Sequence, residues 1–158
     1  MHNEHEKFMD EAIRLAASNL QNGHGGPFGC IVVKEGQIIA SAFNEVLSTN
    51  DPTAHAEILA IRRACEALGS HQLEGCEIYT SCEPCPMCLG AIYWSRPKKV
   101  YYAASRLDAQ QAGFDDDHIY REISVPHPDR QIPFEQISRE KVSLIFSEWS
   151  NNNQNSSY

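Results

Sequence analysis

Two short segments of the sequence carry side chains that could bind a metal ion. The first is His55-Ala56-Glu57 and the second is Cys85-Pro86-Met87-Cys88. Thiolate sulfur and imidazole nitrogen are donors that zinc takes in a tetrahedral site. Cys85 and Cys88 are three residues apart, so they lie on one face if a helix begins there. We therefore predict that His55, Cys85 and Cys88 are the protein ligands of one zinc ion.

Three protein ligands would leave the fourth coordination position of the zinc for water. An open position of this kind distinguishes a catalytic zinc site from a structural one. Glu57 follows His55 by two residues, close enough to take a proton from that water and pass it on. Zinc with two thiolates and a neutral imidazole carries no net charge, so the positive ends of nearby helices would help to acidify the water. The pattern predicts a catalytic zinc with Glu57 as its proton carrier.

A structural zinc module is the strongest non-enzymatic alternative. Cys76 could complete a four-cysteine site with the three cysteines of residues 82–88, and a site closed by four protein donors would hold no water. That arrangement would leave His55 and Glu57 without a role. The alternative predicts that Cys76 is needed to retain the metal.

Helices and strands have to bring the two ligand segments together. Apolar residues at helical spacing predict helices over about residues 5–22, 55–68, 84–94 and 139–149. Short apolar runs predict strands at residues 30–33, 37–40, 77–80 and 100–103, the first two forming a hairpin. Thr53 is the predicted N-cap of the second helix. This order of elements indicates an α/β fold with a mixed sheet covered by helices, and both ligand segments fall at helix N-termini.

The bulk composition indicates a single domain with a small-molecule partner. The chain has 158 residues and a formal net charge of −8, from 21 acidic and 13 basic residues. A surface of this charge repels phosphate backbones, so a nucleic acid is an unfavourable partner. No segment resembles a signal peptide or is long and apolar enough to span a membrane. We expect a cytoplasmic protein without membrane partners, in which six cysteines act as metal ligands or buried thiols.

The motifs resemble those of the cytidine and deoxycytidylate deaminase superfamily. His-x-Glu followed by Pro-Cys-x-x-Cys is a signature of zinc nucleobase deaminases. Within that superfamily the chain is most similar to the bacterial guanine deaminases, in Gly25-Gly26-Pro27-Phe28-Gly29, residues 82–94, Ala112-Gly113-Phe114-Asp115-Asp116 and the terminal Tyr158. The resemblance spans nearly the whole chain and is most specific over residues 25–116. It implies a three-layer α-β-α sandwich with a central mixed five-stranded sheet, in a single deaminase domain over residues 1–158.

The resemblance also implies a reaction and a set of site residues. The implied reaction is the hydrolytic deamination of guanine to xanthine and ammonia, with one Zn²⁺ per subunit and a catalytic water as its fourth ligand. The implied metal ligands are His55, Cys85 and Cys88, and the implied catalytic carboxylates are Glu57 and Asp116. The implied substrate-binding residues are Phe28, Asn44, Ala56, Trp94, Asp116 and Tyr158.

Each substrate-binding residue has a distinct implied role. Asn44 would hydrogen-bond the base, and the backbone N–H of Ala56 would face the substituents of the attacked carbon. Phe28 and Trp94 would form aromatic walls. Asp116 would accept from the N1–H and 2-amino donors of guanine and carry a second proton. The alternatives are a turn role for Asn44, core packing for the two aromatic residues and a solvated acidic loop for Asp116.

The C-terminal segment is the part whose implied role depends on assembly. The resemblance implies a homodimer that exchanges a segment of about residues 125–158, so that Tyr158 closes the active site of the partner subunit.

Two related activities stay open as alternatives. A guanosine deaminase of the same subgroup would share most of these motifs, and a tRNA-adenosine deaminase would share Asp51-Pro52-Thr53-Ala54-His55-Ala56-Glu57.

Overall fold

A mixed β-sheet with helices on both faces carries the two ligand segments. A computed structural model describes residues 3–152 and 158, and the chain forms two compact units, Met1–Asp117 and His118–Tyr158. The first unit contains the strands β1 (Gly29–Lys34), β2 (Gln37–Phe43), β3 (Cys76–Cys82) and β4 (Lys99–Ala104). Its helices are α1 (Glu4–Asn22), α2 (Val46–Thr49), α3 (Ala56–Leu68), α4 (Pro86–Ser95) and α5 (Arg106–Gln111), and α6 (Asp116–Ile123) begins at its end.

The strands are ordered β2-β1-β3-β4, with β1 antiparallel to both neighbours and β3 parallel to β4. The predicted hairpin is confirmed: Glu35 and Gly36 join β1 to β2 with φ values of 50° and 74°. Positive φ at both central residues is typical of the type I′ turn, whose twist matches that of paired strands. Because the sheet combines antiparallel pairs with a parallel pair, the predicted mixed sheet is also confirmed.

Alternating side chains of β1 hold the helices on opposite faces of the sheet. Cys30 and Val32 belong to the core cluster that contains the small residues of α3, whereas Ile31 and Val33 pack with α1 and Tyr79. Successive side chains of a strand point to opposite faces, so one buried strand can serve two helical layers. Alanines on α3 let that helix approach the sheet closely.

The expectation of a five-stranded sheet is wrong for the described residues, which form four strands. After β4 the chain enters α5, because Ser105 and Asp108 form a reciprocal capping box that starts a helix. Farther along, Pro126, Pro128 and Pro133 lack the backbone N–H that a ladder requires. No fifth strand extends the sheet within residues 3–152.

The predicted N-cap of α3 is also wrong. The helix begins after His55, whose extended backbone occupies the cap position without a side-chain cap hydrogen bond. Thr53 instead donates its hydroxyl and its backbone N–H to Asp51 Oδ1, at 2.7 and 2.8 Å. A local turn around an aspartate competes with helix capping for the same hydroxyl. His55 is consequently held at the helix N-terminus itself.

The second unit contains the rest of α6, a 3₁₀ turn (His127–Asp129) and α7 (Arg139–Asn151). Arg130 ties the unit internally, since its guanidinium donates to the carbonyls of Val125 and Ile123. None of its described residues is buried. Across the described part of the chain, no helix has the length and apolar character needed to cross a membrane.

Candidate functional site

His55, Cys85 and Cys88 form a compact group of metal-binding side chains. Their ligand atoms all lie within 4.8 Å of one another, and His55 Nδ1 is 3.6 Å from Cys85 Sγ and 3.5 Å from Cys88 Sγ. Tetrahedral zinc with its usual bond lengths would separate sulfur from nitrogen by roughly 3.6 Å. The spacing of the three side chains therefore fits zinc.

Cys76 is not part of this group. Among the described residues, the group of donor atoms that approach one another this closely consists of His55, Cys85 and Cys88. Cys76 and Cys82 stand at the two ends of β3, and both remain unpaired thiols. Three protein donors leave a position for water or substrate, which a four-cysteine site would not. The geometry favours an open metal site over a structural one.

Both ligand segments lie at helix N-termini, as predicted. His55 precedes α3, Cys85 precedes α4, and Pro86 occupies the first turn of α4, where a missing N–H costs nothing. The positive end of a helix favours thiolate. Without a metal, the hydrogen bond with Cys88 lowers the pKa of Cys85 to about 4, and the same bond raises the pKa of Cys88. One of the two sulfurs is thus prepared to bind a cation as thiolate.

Glu57 is a buried carboxylate directly beside the metal-binding group. Its side chain is 6% exposed, and Thr80 Oγ1 donates to its Oε1 at 2.9 Å. Cys88 Sγ donates to its Oε2 at 3.5 Å. Burial raises the pKa of Glu57, because a charged carboxylate is less well solvated there than in water. Glu57 is therefore a better base than an exposed glutamate and is oriented by Thr80.

A cavity of about 440 Å³ lies over this group. Six of the predicted site residues, two of them metal ligands, meet along its wall. Its lining includes His55, Glu57, Cys85, Phe28, Asn44 and Asp116. Cys82 also lines the cavity. The sequence interpretation gave no binding role to the other lining residues, which are Gly25, Gly26, Val46, Leu47, Glu83 and Phe114. Predicted metal ligands and predicted base-binding residues thus share one cavity.

Asn44 presents a defined donor to the cavity. The residue is 5% exposed, and its Oδ1 accepts from the backbone N–H of Val46 at 3.1 Å. Among the described residues no hydrogen bond engages its Nδ2, so the NH₂ group is left to donate to a ligand. A Cβ at Gly25 would collide with Asn44 Oδ1. Glycine at position 25 is therefore required for this orientation of the amide.

Phe28 and Phe114 form the aromatic part of the wall. Their rings pack edge to face, with centroids 4.8 Å apart. Gly26 permits this packing, since a Cβ there would lie 2.8 Å from Phe28 and 3.1 Å from Phe114. Trp94 does not line the cavity and is 63% exposed on α4. The aromatic residues that line the cavity are therefore Phe28 and Phe114, and the role expected of Trp94 stays a prediction.

The remaining predicted residues occupy different environments. Asp116 is the first residue of α6 and half-buried at the cavity wall, where burial and the nearby Cys85 thiolate raise its pKa. Ala56 is fully buried between His55 and Glu57, and it does not line the cavity. Tyr158 belongs to the second unit and is 68% exposed. The role expected of Tyr158 stays a prediction.

Comparisons with known proteins agree with this geometry. The chain is 55% identical over 147 residues to the guanine deaminase of Bacillus subtilis (strain 168), covering 93% of this chain and 94% of that protein. A crystal structure of guanine deaminase from Bacillus subtilis matches with a TM-score of 0.93 and 53% identity, covering 98% of each chain. The tRNA-specific adenosine deaminase of Aquifex aeolicus is 40% identical over 144 residues, 91% of this chain and 92% of that protein.

The family is shown by the segment that contains both ligand motifs. Residues 2–104 match the family model of the cytidine and deoxycytidylate deaminase zinc-binding region. That segment is well over half of the 158-residue chain, and it includes His55, Glu57, Cys85 and Cys88. The chain belongs to the cytidine and deoxycytidylate deaminase family of zinc-binding proteins.

Proposed function

We propose that this chain is a zinc-dependent hydrolase that converts guanine to xanthine and ammonia. The observation that carries the proposal is the shared cavity, in which Glu57 and two metal ligands face Asn44 and Asp116. Identity to a guanine deaminase, at 55%, exceeds identity to a tRNA-specific adenosine deaminase, at 40%. The net charge of −8 also disfavours a tRNA substrate.

The chemistry of guanine suits the polar groups of the cavity. Its N1–H and 2-amino group are neighbouring donors, for which the Asp116 carboxylate is an acceptor. Its O6 and N7 are acceptors, and the NH₂ group of Asn44 can donate to one of them. Adenine lacks the N1–H and the 2-amino group, and cytosine has a single ring. A donor and an acceptor in this cavity therefore favour guanine among the common bases.

The reaction requires water to add at C2 and ammonia to leave. A zinc ion held by His55, Cys85 and Cys88 would supply a Lewis acid that brings the pKa of water at its open position to ~7. Glu57 accepts a proton from the attacking water and delivers it to N3, which gains an electron pair as the C2=N3 bond opens. Glu57 then carries the remaining proton of that water from the new C2 hydroxyl to the departing amine, and the C2–N bond breaks as the C2=O bond forms. The products are xanthine and ammonia.

Cys88 and Thr80 lie beside different oxygens of Glu57. Cys88 Sγ is 3.5 Å from Oε2, and Thr80 Oγ1 donates to Oε1 at 2.9 Å. As a zinc ligand Cys88 would be a thiolate, which has no proton to donate. Thr80 is therefore the donor that orients Glu57 when zinc is bound, and Oε2 is the oxygen that acts as the base.

A panel of substrates tests the proposed function. Ammonia release should be measured from guanine, guanosine, adenine, cytosine and a tRNA anticodon stem-loop, with the zinc-loaded protein. We expect release from guanine, with xanthine as product. Faster release from guanosine would assign the enzyme to nucleosides, and faster release from the stem-loop would assign it to tRNA. No release from any of them would favour a zinc-binding protein without catalytic activity.

Asp116→Asn should selectively impair guanine processing. The amide retains one acceptor and replaces a charged acceptor with a donor that faces the donors of guanine. We expect kcat/KM for guanine to fall by roughly 10²-fold, because an unpaired buried donor is costly in recognition. Asp117→Asn is a matched control, since it removes the same charge from the next residue, which does not line the cavity. Equal losses in both variants would contradict a recognition role.

We further propose that the protein is a homodimer in which the segment of about residues 125–158 reaches the active site of the partner subunit. The support is the resemblance of the terminal residues and the apolar surface of α7. Five apolar side chains of that helix are exposed: Val142, Leu144, Ile145, Phe146 and Trp149. An exposed apolar surface of this kind is typical of an interaction site.

Removal of Tyr158 tests the proposed exchange. If Tyr158 closes the active site of the partner, its deletion should lower guanine turnover by roughly tenfold and leave zinc content unchanged. Tyr158→Phe, which retains the ring, should behave more like the original protein. Light scattering should give twice the 17.7 kDa mass of one chain. A monomer with full activity after the deletion would contradict the proposal.

A cytoplasmic location, and a part in purine catabolism, also belong to this proposal. All six cysteines are unpaired thiols, which suits a reducing compartment. Fractionation of the native cells would test the location, with guanine deamination expected in the soluble cytoplasmic fraction. Activity confined to a secreted fraction would contradict it.

A further inference from the structure

Asn19 is a buried amide of α1 for which the proposed reaction has no role. It is 5% exposed. Its Nδ2 donates to the carbonyl of Gly26 at 2.9 Å and to the carbonyl of Asn44 at 2.8 Å. These carbonyls belong to separate segments, residues 23–28 before β1 and residues 44–48 after β2. One NH₂ group therefore ties both segments to the helix.

Both segments form the wall of the cavity. The first contributes Gly25, Gly26 and Phe28, and the second contributes Asn44, Val46 and Leu47. The backbone N–H of Asn44 donates to the carbonyl of Phe28 at 3.0 Å. With its N–H held by Phe28 and its carbonyl held by Asn19, the backbone of Asn44 has little freedom. The bond from Asn19 thus helps to set the direction of the Asn44 side chain.

The Asn19 amide leaves its oxygen without a hydrogen bond in order to donate two hydrogen bonds from its NH₂ group. Its Oδ1 is buried and has no hydrogen-bond partner among the described residues. A buried acceptor without a donor destabilises the fold, so a residue serving only to fill this space would be apolar. Rotating the amide would oppose its oxygen to two carbonyls. The amide is therefore present for its donors.

We propose that Asn19 is a positioning residue for base binding, an inference that rests on the proposed function. By holding the carbonyls of Gly26 and Asn44, it fixes the separation of the two segments and the direction of the Asn44 NH₂ group. It has no bond to the metal-binding group or to Glu57. Its loss therefore affects binding of the base more than the chemical step.

Two substitutions of similar size test this role. Asn19→Asp replaces both donors with acceptors, and Asn19→Leu removes them. We expect KM for guanine to rise roughly tenfold in each, with kcat within about threefold of the original and zinc content unchanged. Ser18→Ala is the matched control, because it removes a hydroxyl that bonds within α1, to the carbonyl of Leu15. A fall in kcat at constant KM, or no change in either constant, would overturn the proposal.

Hydrogen exchange tests the same role without relying on the substrate. In Asn19→Leu, amide exchange should accelerate at residues 23–29 and 44–48 and stay unchanged in β3. Unchanged exchange in both segments, acceleration throughout the chain, or failure of both variants to fold would each overturn the proposal. If the original protein releases ammonia from no purine, the proposed function fails, and exchange still decides whether Asn19 holds the two segments.

Discussion

Glu57→Gln should retain one zinc ion per chain and release almost no ammonia from guanine. Glutamine has the size of glutamate and can still accept the hydrogen bond from Thr80, so the site should keep its shape. It cannot take up a proton at the pH of the reaction. Loss of a positioned general acid and base lowers rates by roughly 10²- to 10⁴-fold, and here both proton transfers use the same group. We expect the effect at the upper end of that range.

The measurement has to separate chemistry from metal loss. Zinc content by mass spectrometry and ammonia release in the presence of saturating guanine should be determined on the same preparation. Glu66→Gln makes the same change on an exposed part of α3 and should leave turnover intact. Glu57→Asp retains an acid on a shorter side chain, so its turnover should lie between that of Glu57→Gln and that of Glu66→Gln. Turnover by Glu57→Gln at the original rate would exclude Glu57 as the proton carrier.

Local sequence patterns were sufficient to predict the ligand segments. His55 immediately precedes the amphipathic helix α3, and Cys85 immediately precedes α4, which begins with a proline. The start of a helix depends on a few neighbouring residues, so it can be predicted from local sequence. The i, i+3 spacing of Cys85 and Cys88 then determines which side of the helix carries the sulfurs. Each part of the metal centre was predictable because it is a feature of a single segment, and the family resemblance then indicated that the two segments meet.

Contacts between distant segments could not be predicted in this way. Thr80 orients Glu57 from β3, 23 residues along the chain, and nothing in the sequence around either residue specifies that hydrogen bond. The prediction of a fifth strand was wrong for a similar reason. The family resemblance implied a larger sheet, whereas the capping box at Ser105 starts a helix after β4. The order of the four strands depends on contacts between segments that are far apart in the chain, so no short sequence pattern predicts it.

Trp94 is an instructive exception, because helical geometry could have predicted its position. An α-helix turns by about 100° per residue. Cys88 and Ile92 are four residues apart and both buried, so they mark the inner face of α4. Trp94 is two residues beyond Ile92, about 200° around the axis, and it is exposed. The spacing within α4 places Trp94 away from the buried face of the helix, and its predicted role as an aromatic wall stays a prediction.

Cys88→Ser should release the zinc and abolish guanine turnover. Cys88 is fully buried, and its Sγ lies 3.5 Å from both His55 Nδ1 and Glu57 Oε2. Serine would supply a neutral hydroxyl in place of a thiolate, and two protein ligands hold zinc far less tightly than three. Added zinc should not restore activity. A chelator should likewise inactivate the original protein, and zinc should then restore it.

The stability of the variant provides an independent measurement. Zinc held between the residue preceding α3 and the first turn of α4 stabilises the folded chain by mass action, by about 4 kcal/mol when free zinc is a thousandfold above its Kd. Loss of the metal should therefore lower Tm by roughly 8–16 °C in a chain of this size, and chelation of the original protein should lower it by the same amount. The change in Tm thus measures the loss of bound zinc, and this measurement does not depend on which substrate the enzyme uses.

Cys76→Ser distinguishes the catalytic site from a four-cysteine structural site. Because Cys76 stands outside the metal-binding group, its replacement should leave zinc content and turnover near those of the original protein, apart from a small loss of core packing. A structural site would show the opposite pattern, with zinc released by Cys76→Ser and retained by His55→Ala. If Cys76→Ser lost its metal as completely as Cys88→Ser, the fourth position would be closed by protein, and no water could reach the ion to react.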